Sequence, residues 1–136
     1  MKKFEFWKLQ LLKLNENNIS NIDILEKVNF KELIKLGLGK IKISDIKVLE
    51  KVKFEKLEVL DLGENKISDI NILEKVNFKE LKELNLSYNK ISDIEVLEKV
   101  KFEKLEELDL TGNEIDLAKN NSIILKLKSL FKRFII

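Results

Sequence analysis

The sequence predicts an α/β solenoid of five 24-residue coils, each made of a strand, a turn and a short helix. Phenylalanine recurs every 24 residues, and the same apolar pattern follows each copy: F-x-x-L-x-x-L-x-L-x-x-N-x-I-x-x-I-x-x-L-x-x-V. Such self-similarity is the signature of repeat architectures, in which stacked coils bury one continuous core. The chain has 136 residues, 44% of them hydrophobic, which suffices for one such domain. The five coils begin at Phe6, Phe30, Phe54, Phe78 and Phe102.

The coil that begins at Phe78 shows how each element is predicted. Leu84 and Leu86 are two residues apart, so both side chains lie on one face of a strand. Ile94 and the apolar residues after it are spaced as on one side of a helix, with Ser92 as the expected N-cap. Strands stack about 4.8 Å apart, whereas packed helices need about 10 Å. The stack must therefore curve, with a parallel sheet on its concave face.

The repeats are predicted to span 6–116, and the remaining segments to cover the two ends of the core. From residue 117 to residue 136 there are five basic residues and no acidic one. We expect a basic amphipathic cap helix here, with an N-cap at Asn121 or Ser122. Its apolar face would contain Ile123, Leu127, Leu130, Phe131 and Phe134.

At the other end, a short lead of residues 1–5 precedes the first coil. Phe4 and Trp7 can shield that coil only in part. We therefore expect either a longer array or a homodimer formed through the first strand.

Blocks of the form L-x-x-L-x-L-x-x-N occupy residues 9–17, 57–65, 81–89 and 105–113. Together with their I-x-x-I-x-x-L continuation, these blocks resemble the leucine-rich repeat family. The I-x-x-I-x-x-L continuation is similar to the short-repeat class of that family, which includes bacterial internalins and regulatory subunits of phosphatases. The resemblance implies a curved solenoid with a concave parallel sheet, and protein recognition as the commonest role.

The asparagine of each block predicts a ladder inside the turns, because its amide can satisfy backbone groups that the turn leaves unpaired. Ile41 interrupts the ladder in the second coil, which also contains Gly37 and Gly39. This combination predicts a locally irregular turn, and drift of one repeat is favoured over a hinge or a ligand-contacting glycine pair. The ladder residues are Asn17, Asn65, Asn89 and Asn113.

Two sequence variants of one segment alternate along the chain. LEKVNFKEL occupies residues 25–33 and 73–81, and LEKVKFEKL occupies 49–57 and 97–105, so the longer period is 48 residues. As a result, opposite charges face each other across neighbouring coils. One such column reads Glu32, Lys56, Glu80 and Lys104.

Composition argues against several function classes. Without histidine or cysteine the usual catalytic base and thiolate are missing, and we predict neither an enzyme nor a cofactor. The carboxylates of Glu106, Glu107 and Asp109 project into water, so no metal site is predicted. With 26 basic against 24 acidic residues there is no basic field for nucleic acid. The lack of cysteine, and the charges of Glu5 and Lys8 within any signal-like segment, favour a cytoplasmic protein.

The outward strand positions predict a concave binding surface for a protein or peptide. This surface runs from basic and apolar at the N-terminal end to acidic at the C-terminal end, and Tyr88 stands just beyond it as an aromatic anchor. One alternative is a membrane-peripheral protein that uses its basic tail, although a membrane is the less favoured partner. Another is an engineered or truncated scaffold without a dedicated ligand. The predicted strand residues of the surface are Lys13, Lys35, Val59, Asp61, Glu83, Asn85, Glu107 and Asp109.

Overall fold

The computed structural model describes residues 6–136, so the predicted lead 1–5, with Phe4, lies outside the described residues. It is a curved solenoid whose parallel sheet has six strands in sequence order. Each strand pairs with the next at an offset of one coil, so Leu36, Leu60 and Leu84 lie in register. The strands are β1 (Leu11–Lys13), β2 (Lys35–Gly37), β3 (Val59–Asp61), β4 (Glu83–Asn85), β5 (Glu107–Asp109) and β6 (Arg133–Ile135).

The side of the coils opposite the sheet contains short 3₁₀ helices, shorter and later than the predicted ones. Ser92 is not an N-cap: the fourth-coil helix begins at Glu95, after the N-cap position Ile94. Instead, the Asp93 carboxylate accepts a hydrogen bond from the Glu95 N–H at 2.9 Å. The backbone hydrogen bonds follow the i→i+3 pattern of a 3₁₀ helix, as from the Leu97 N–H to the Ile94 carbonyl at 3.0 Å. The 3₁₀ segments on this side are Asp23–Lys27, Lys47–Glu50, Asn71–Glu74 and Glu95–Glu98, and a further one, Phe6–Lys8, precedes β1.

The core runs unbroken between the strands and these helices. The central leucine of each strand from β2 to β5 is buried, while its two neighbours face outward. The phenylalanines of the second and third coils also stack, with the rings of Phe30 and Phe54 centred 6.2 Å apart. Each coil therefore buries its apolar surface mainly against the next one, as expected for a solenoid.

Each coil leaves its strand through a residue in the left-handed region. The φ angles are 62° at Glu16, 56° at Lys40, 54° at Glu64, 51° at Tyr88 and 71° at Gly112. In the first three coils this column forms a charge cluster, with Lys40 Nζ 3.6 Å from Glu16 and 3.4 Å from Glu64. The hydrogen bond to Glu64 and the charges of both glutamates raise the pKa of Lys40.

The asparagine column joins each coil to the one before it. Asn65 Oδ1 accepts hydrogen bonds from the N–H groups of Ile41 and Ile43, at 3.1 and 3.2 Å. Its Nδ2 donates to the carbonyls of Leu38 and Leu62, at 2.8 and 2.9 Å. One buried side chain thus serves backbone groups of two coils.

Asn89 and Asn113 repeat this pattern by accepting from Ile67 N–H and Ile91 N–H, at 3.0 Å each. Asn17 differs, since it is exposed and its hydrogen bonds go to carbonyls of its own coil. Ile41, in the second coil, has no amide with which to reach back to the first.

Opposite charges also pair between coils. Lys56 Nζ lies 2.7 Å from Glu32, and Lys104 Nζ lies 2.6 Å from Glu80. The hydrogen bond from Lys104 holds the pKa of Glu80 below its usual range. These pairs are at the surface, so each contributes little to stability.

The predicted cap helix is wrong at both ends. Helix α1 spans Asn121–Leu130 and follows Asn120, not Asn121 or Ser122, as its N-cap. Ile124 and Leu127 are its buried residues, whereas Leu130 is 60% exposed.

After α1 the chain forms β6 instead of continuing as helix. Phe134, predicted on the helix face, lies on this strand opposite Leu108. The Leu110 N–H donates to the Ile135 carbonyl at 2.7 Å, and the Arg133 N–H donates to the Glu106 carbonyl at 3.0 Å. A sixth strand satisfies backbone groups of β5 that a helix would leave unpaired.

At the opposite edge, β1 is the first strand of the sheet and Trp7 stays 46% exposed. A homodimer through this edge stays a prediction. In the part of the chain that the structure describes, no helix is long and apolar enough to cross a membrane.

Candidate concave binding surface

The concave surface consists of two columns of outward residues, one on each side of the inward-facing central residues of the six strands. The register places every predicted strand residue of the site on one of these columns. Tyr88 is not among them, because it lies in the turn that follows β4. The first column is Leu11, Lys35, Val59, Glu83, Glu107 and Arg133, and the second is Lys13, Gly37, Asp61, Asn85, Asp109 and Ile135.

A recess interrupts this surface at Gly37, where the second column has no side chain. Its volume is about 420 Å³, within the range of about 300–1,000 Å³ typical of ligand pockets. Lys13 and Lys35 provide two cations, and Leu11 and Val59 provide apolar walls. We call this site the Gly37 recess; its lining is Leu11, Lys13, Asn15, Lys35, Leu36, Gly37, Val59 and Asp61.

A side-chain contact explains why the second coil has glycine at positions 37 and 39. Asn15 Nδ2 crosses that coil and donates to Asp61 Oδ2 in the third, at 2.9 Å. A Cβ atom at Gly37 would lie only 2.2 Å from Asn15 Oδ1, and one at Gly39 would lie 2.8 Å from Asn15 Nδ2. Gly37 and Gly39 make room for the Asn15 side chain, which joins the first coil to the third. This contact corrects the interpretation of the two glycines as drift of one repeat.

Asp61 is more constrained than its outward position suggested. Besides Asn15, the Gly63 N–H and Asn85 Nδ2 donate to its carboxylate, at 3.0 and 2.9 Å. Asn85 is itself fixed, because its Oδ1 accepts from the Ser87 hydroxyl and N–H. This part of the second column is a hydrogen-bonded network that supports the sheet as well as facing the concave side.

The charge gradient differs from the predicted one, because Arg133 of β6 and Lys132 directly before it add cations to the acidic end. Lys132 Nζ lies 2.8 Å from Glu106, and Arg133 lies 3.7 Å from Glu107. The C-terminal end of the surface is therefore partly neutralised. The same contacts occupy two of the three carboxylates considered above for a cation, and the described residues include no group of three ligands able to hold a metal ion.

Three charged side chains of the concave surface remain without an ion pair or side-chain hydrogen bond within the described chain. Two of them, Lys13 and Lys35, line the Gly37 recess, and the third, Glu83, lies two strands further along the first column. An unpaired charge on an exposed surface is available to a partner. The sequence could not single out these three, because pairing depends on which strands become neighbours.

Tyr88 presents a partly exposed ring beside the concave surface. Its side chain lies against Gly112, where an added Cβ would be 2.5 Å from the ring, and the residue stays 59% exposed. Contact with the Gly112 backbone holds one part of the ring while another faces solvent. This is the kind of amphipathic anchor that protein interfaces favour.

Two residues of the site, Asn15 and Arg133, were not placed on the concave face by sequence reasoning. A signal for Asn15 existed: its position in the other coils is Gly39, Gly63, Ser87 and Thr111, so its larger side chain is an exception directly before the coil with two glycines. Arg133 had no such signal, because β6 was not predicted.

Comparison with known sequences identifies the family. The profile described as Leucine Rich repeats (2 copies) matches residues 55–99 and 79–130, which together exceed half of the chain. The chain belongs to the leucine-rich repeat family. Leucine-rich repeat proteins generally mediate protein–protein interaction and are typically non-catalytic. No curated protein matches the chain significantly.

Solved leucine-rich repeat structures resemble the chain over most of its length. An internalin (inlF) from Listeria monocytogenes is 28% identical, with a TM-score of 0.65, over 94% of this chain and 43% of that one. A leucine-rich repeat protein from Leptospira interrogans is 26% identical, with a TM-score of 0.71, over 90% and 30%. Internalin C2 of Listeria monocytogenes, 23% identical with a TM-score of 0.53 over 80% and 54%, supports the fold alone. The chain thus spans less than two thirds of each of these proteins.

Proposed function

We propose that the chain is a non-catalytic module that binds a protein or peptide on its concave surface. The observation that carries this proposal is that Lys13, Lys35 and Glu83 lack partners among the described residues, whereas Glu106 and Glu107, at β5, are paired. Charges that are satisfied within the chain stabilise it, and unpaired ones are free to select a partner.

The mixture of charges and apolar groups favours a polypeptide partner. Leu11 is 47% exposed at one end of the concave surface, and Tyr88 is exposed near its middle. Exposed aromatic and aliphatic side chains beside charges of both signs are typical of protein interfaces. A nucleic acid backbone would instead meet Glu83 and Asp109.

The membrane alternative loses support from the contacts of the basic tail. Lys126 lies 3.4 Å from Glu98, and Lys132 and Arg133 pair with carboxylates of the fifth coil. These cations are partly occupied within the chain, which leaves fewer for an anionic surface.

A cytoplasmic location stays part of the proposal, because a chain without cysteine needs no oxidising compartment.

Two charge-swapped double variants test the proposal. The concave variant combines Lys35→Glu with Glu83→Lys, and the convex variant combines Lys47→Glu with Glu74→Lys. All four side chains are exposed, and each pair of changes leaves the net charge unaltered. Circular dichroism and thermal melting should be alike for both variants.

Immobilised unmodified chain would then capture proteins from an extract of the cells that produce it, with mass spectrometry as the readout. We expect the concave variant to lose the captured partner and the convex variant to retain it. Retention by the concave variant, or loss from the convex variant alone, would exclude the concave surface as the binding site.

A further inference from the structure

We propose that the Gly37 recess receives an acidic side chain of an extended peptide, and that Glu83 receives a basic side chain of the same peptide. This rests on the proposed function and specifies the chemistry of the partner. The inference follows from three features of the concave surface. They are the charge of the recess, its apolar walls and hydrogen-bonded backbone, and the spacing of residues along the first column.

The charge of the recess favours an anion. Lys13 and Lys35 line it without a partner in the described chain, whereas the carboxylate of Asp61 already accepts from Asn15, Gly63 and Asn85. The recess thus offers two free ammonium groups against one carboxylate whose lone pairs are largely engaged. An incoming carboxylate would satisfy both ammonium groups in charge-assisted hydrogen bonds.

The walls favour a carboxylate carried on methylene groups, as in aspartate or glutamate. Leu11 and Val59 face the recess from the two neighbouring strands and would cover the apolar stem of such a side chain. A free chain terminus is a poorer fit, because terminal carboxylates are usually captured by exposed backbone N–H groups. The backbone of β2 pairs on both sides, with β1 and β3.

The second contact follows from the register of the sheet. Lys35, Val59 and Glu83 are consecutive members of the first column, so Glu83 lies two strand spacings from Lys35. At about 4.8 Å per strand this is about 10 Å, which an extended peptide covers in about three residues. The ligand should therefore have an acidic residue and a basic residue separated by about three positions.

Short random peptides displayed on phage, fused at their C-termini so that no free carboxylate is present, would be selected on the immobilised full chain. We expect enrichment of peptides with Asp or Glu and, about three residues away, Lys or Arg. The best of them would be synthesised with amidated C-termini, and their dissociation constants measured by fluorescence anisotropy.

Lys35→Glu should weaken binding of these peptides by about tenfold or more, while the exposed control Lys47→Glu should not. A peptide with Lys in place of its acidic residue should in turn bind the Lys35→Glu variant better than the original peptide does. This reciprocal rescue would not occur if the substitution had only disturbed the fold.

The outcomes separate this inference from the proposed function. Peptides that bind equally well to Lys35→Glu but are lost with Glu83→Lys would overturn the recess and leave the concave surface in place. Peptides that are sensitive only to the convex changes would overturn both. Synthetic peptides that bind only when the amide is replaced by a free C-terminal carboxylate, or no enrichment at all, would also overturn the inference, whereas capture of a folded protein by the concave surface would still support the proposed function.

Discussion

Replacing Asn65 by alanine tests how neighbouring coils are held together. Asn65 is buried and makes hydrogen bonds to backbone groups of both the second and the third coil. Asn17 provides a matched control, because it has the same position in its own coil but is exposed and bonds only to carbonyls of that coil. Asn65→Ala and Asn17→Ala therefore differ chiefly in which backbone groups lose a hydrogen-bond partner.

The expected cost follows from the groups that lose their partner. In Asn65→Ala the N–H groups of Ile41 and Ile43, both fully buried, lose their acceptor, and the Leu38 carbonyl loses its side-chain donor. The Leu62 carbonyl keeps a partner, because Asn89 Nδ2 also donates to it at 3.0 Å. At about 1–3 kcal/mol for each unpaired buried group, with some relief from water entering the space, we expect a loss of about 3–5 kcal/mol.

Urea denaturation followed by far-ultraviolet circular dichroism would measure the free energy of unfolding of each variant. Asn17→Ala should cost less than about 1 kcal/mol, because its partners remain open to water. Equal costs for the two variants, or a loss below about 1 kcal/mol for Asn65→Ala, would show that the ladder does not carry this stability.

Three further perturbations test the core, the glycine pair and a surface ion pair. Leu84→Ala, at a position only 2% exposed, should cost about 2–5 kcal/mol in the same denaturation assay, and a much smaller loss would mean that Leu84 is not interior. Gly37→Ala forces Asn15 aside and should cost about 1–3 kcal/mol of unfolding free energy. The same substitution should cost clearly less in a chain that already contains Asn15→Ala. Additive costs in the double variant would contradict the contact between residue 37 and the Asn15 side chain. In Lys104→Met the pKa of Glu80, measured by NMR titration, should rise. Because the pKa of Glu80 is lowered in the folded chain, ionised Glu80 stabilises the fold above the ordinary glutamate pKa, and this contribution is lost as the pH falls through the lowered value. An unchanged Glu80 pKa in Lys104→Met would exclude the ion pair as the cause of the lowered pKa.

The sheet was predictable because its determinants recur within every coil. The Leu84-x-Leu86 spacing specifies which side chains face inward, and the 24-residue period specifies which strands are neighbours. These two facts together give the parallel register that pairs Leu84 with Leu60 and Leu108. No contact outside adjacent coils is needed to obtain it.

The short helices and the C-terminal end were less predictable. The helical spacing of Ile94 and Leu97 does not distinguish an α-helix from a 3₁₀ turn, since residues three apart share a side in both. Likewise, Phe131 and Phe134 fit one helix face, but Phe134 and Ile136 fit a strand equally well. The unpaired edge of β5 decides between the two, and that edge exists only in the folded chain.

The concave site was predictable in position but not in chemistry. Outward strand residues follow from the leucine spacing, so Lys35 and Glu83 could be assigned to the surface directly. The role of Asp61 could not, because its hydrogen bond to Asn15 joins residues 46 positions apart in the sequence. A comparison of each coil with its immediate neighbours overlooks a contact that skips one coil.

The alternation of the cross-coil ion pairs has a consequence for how such an array can change its length during evolution. The pairs Glu32–Lys56 and Glu80–Lys104 occur once in each 48-residue unit. Unequal recombination that gains or loses a whole unit keeps opposite charges adjacent at every junction. An exchange of a single coil would instead place Glu beside Glu or Lys beside Lys at one seam. Recombinants of this chain should therefore tolerate even changes in coil number better than odd ones.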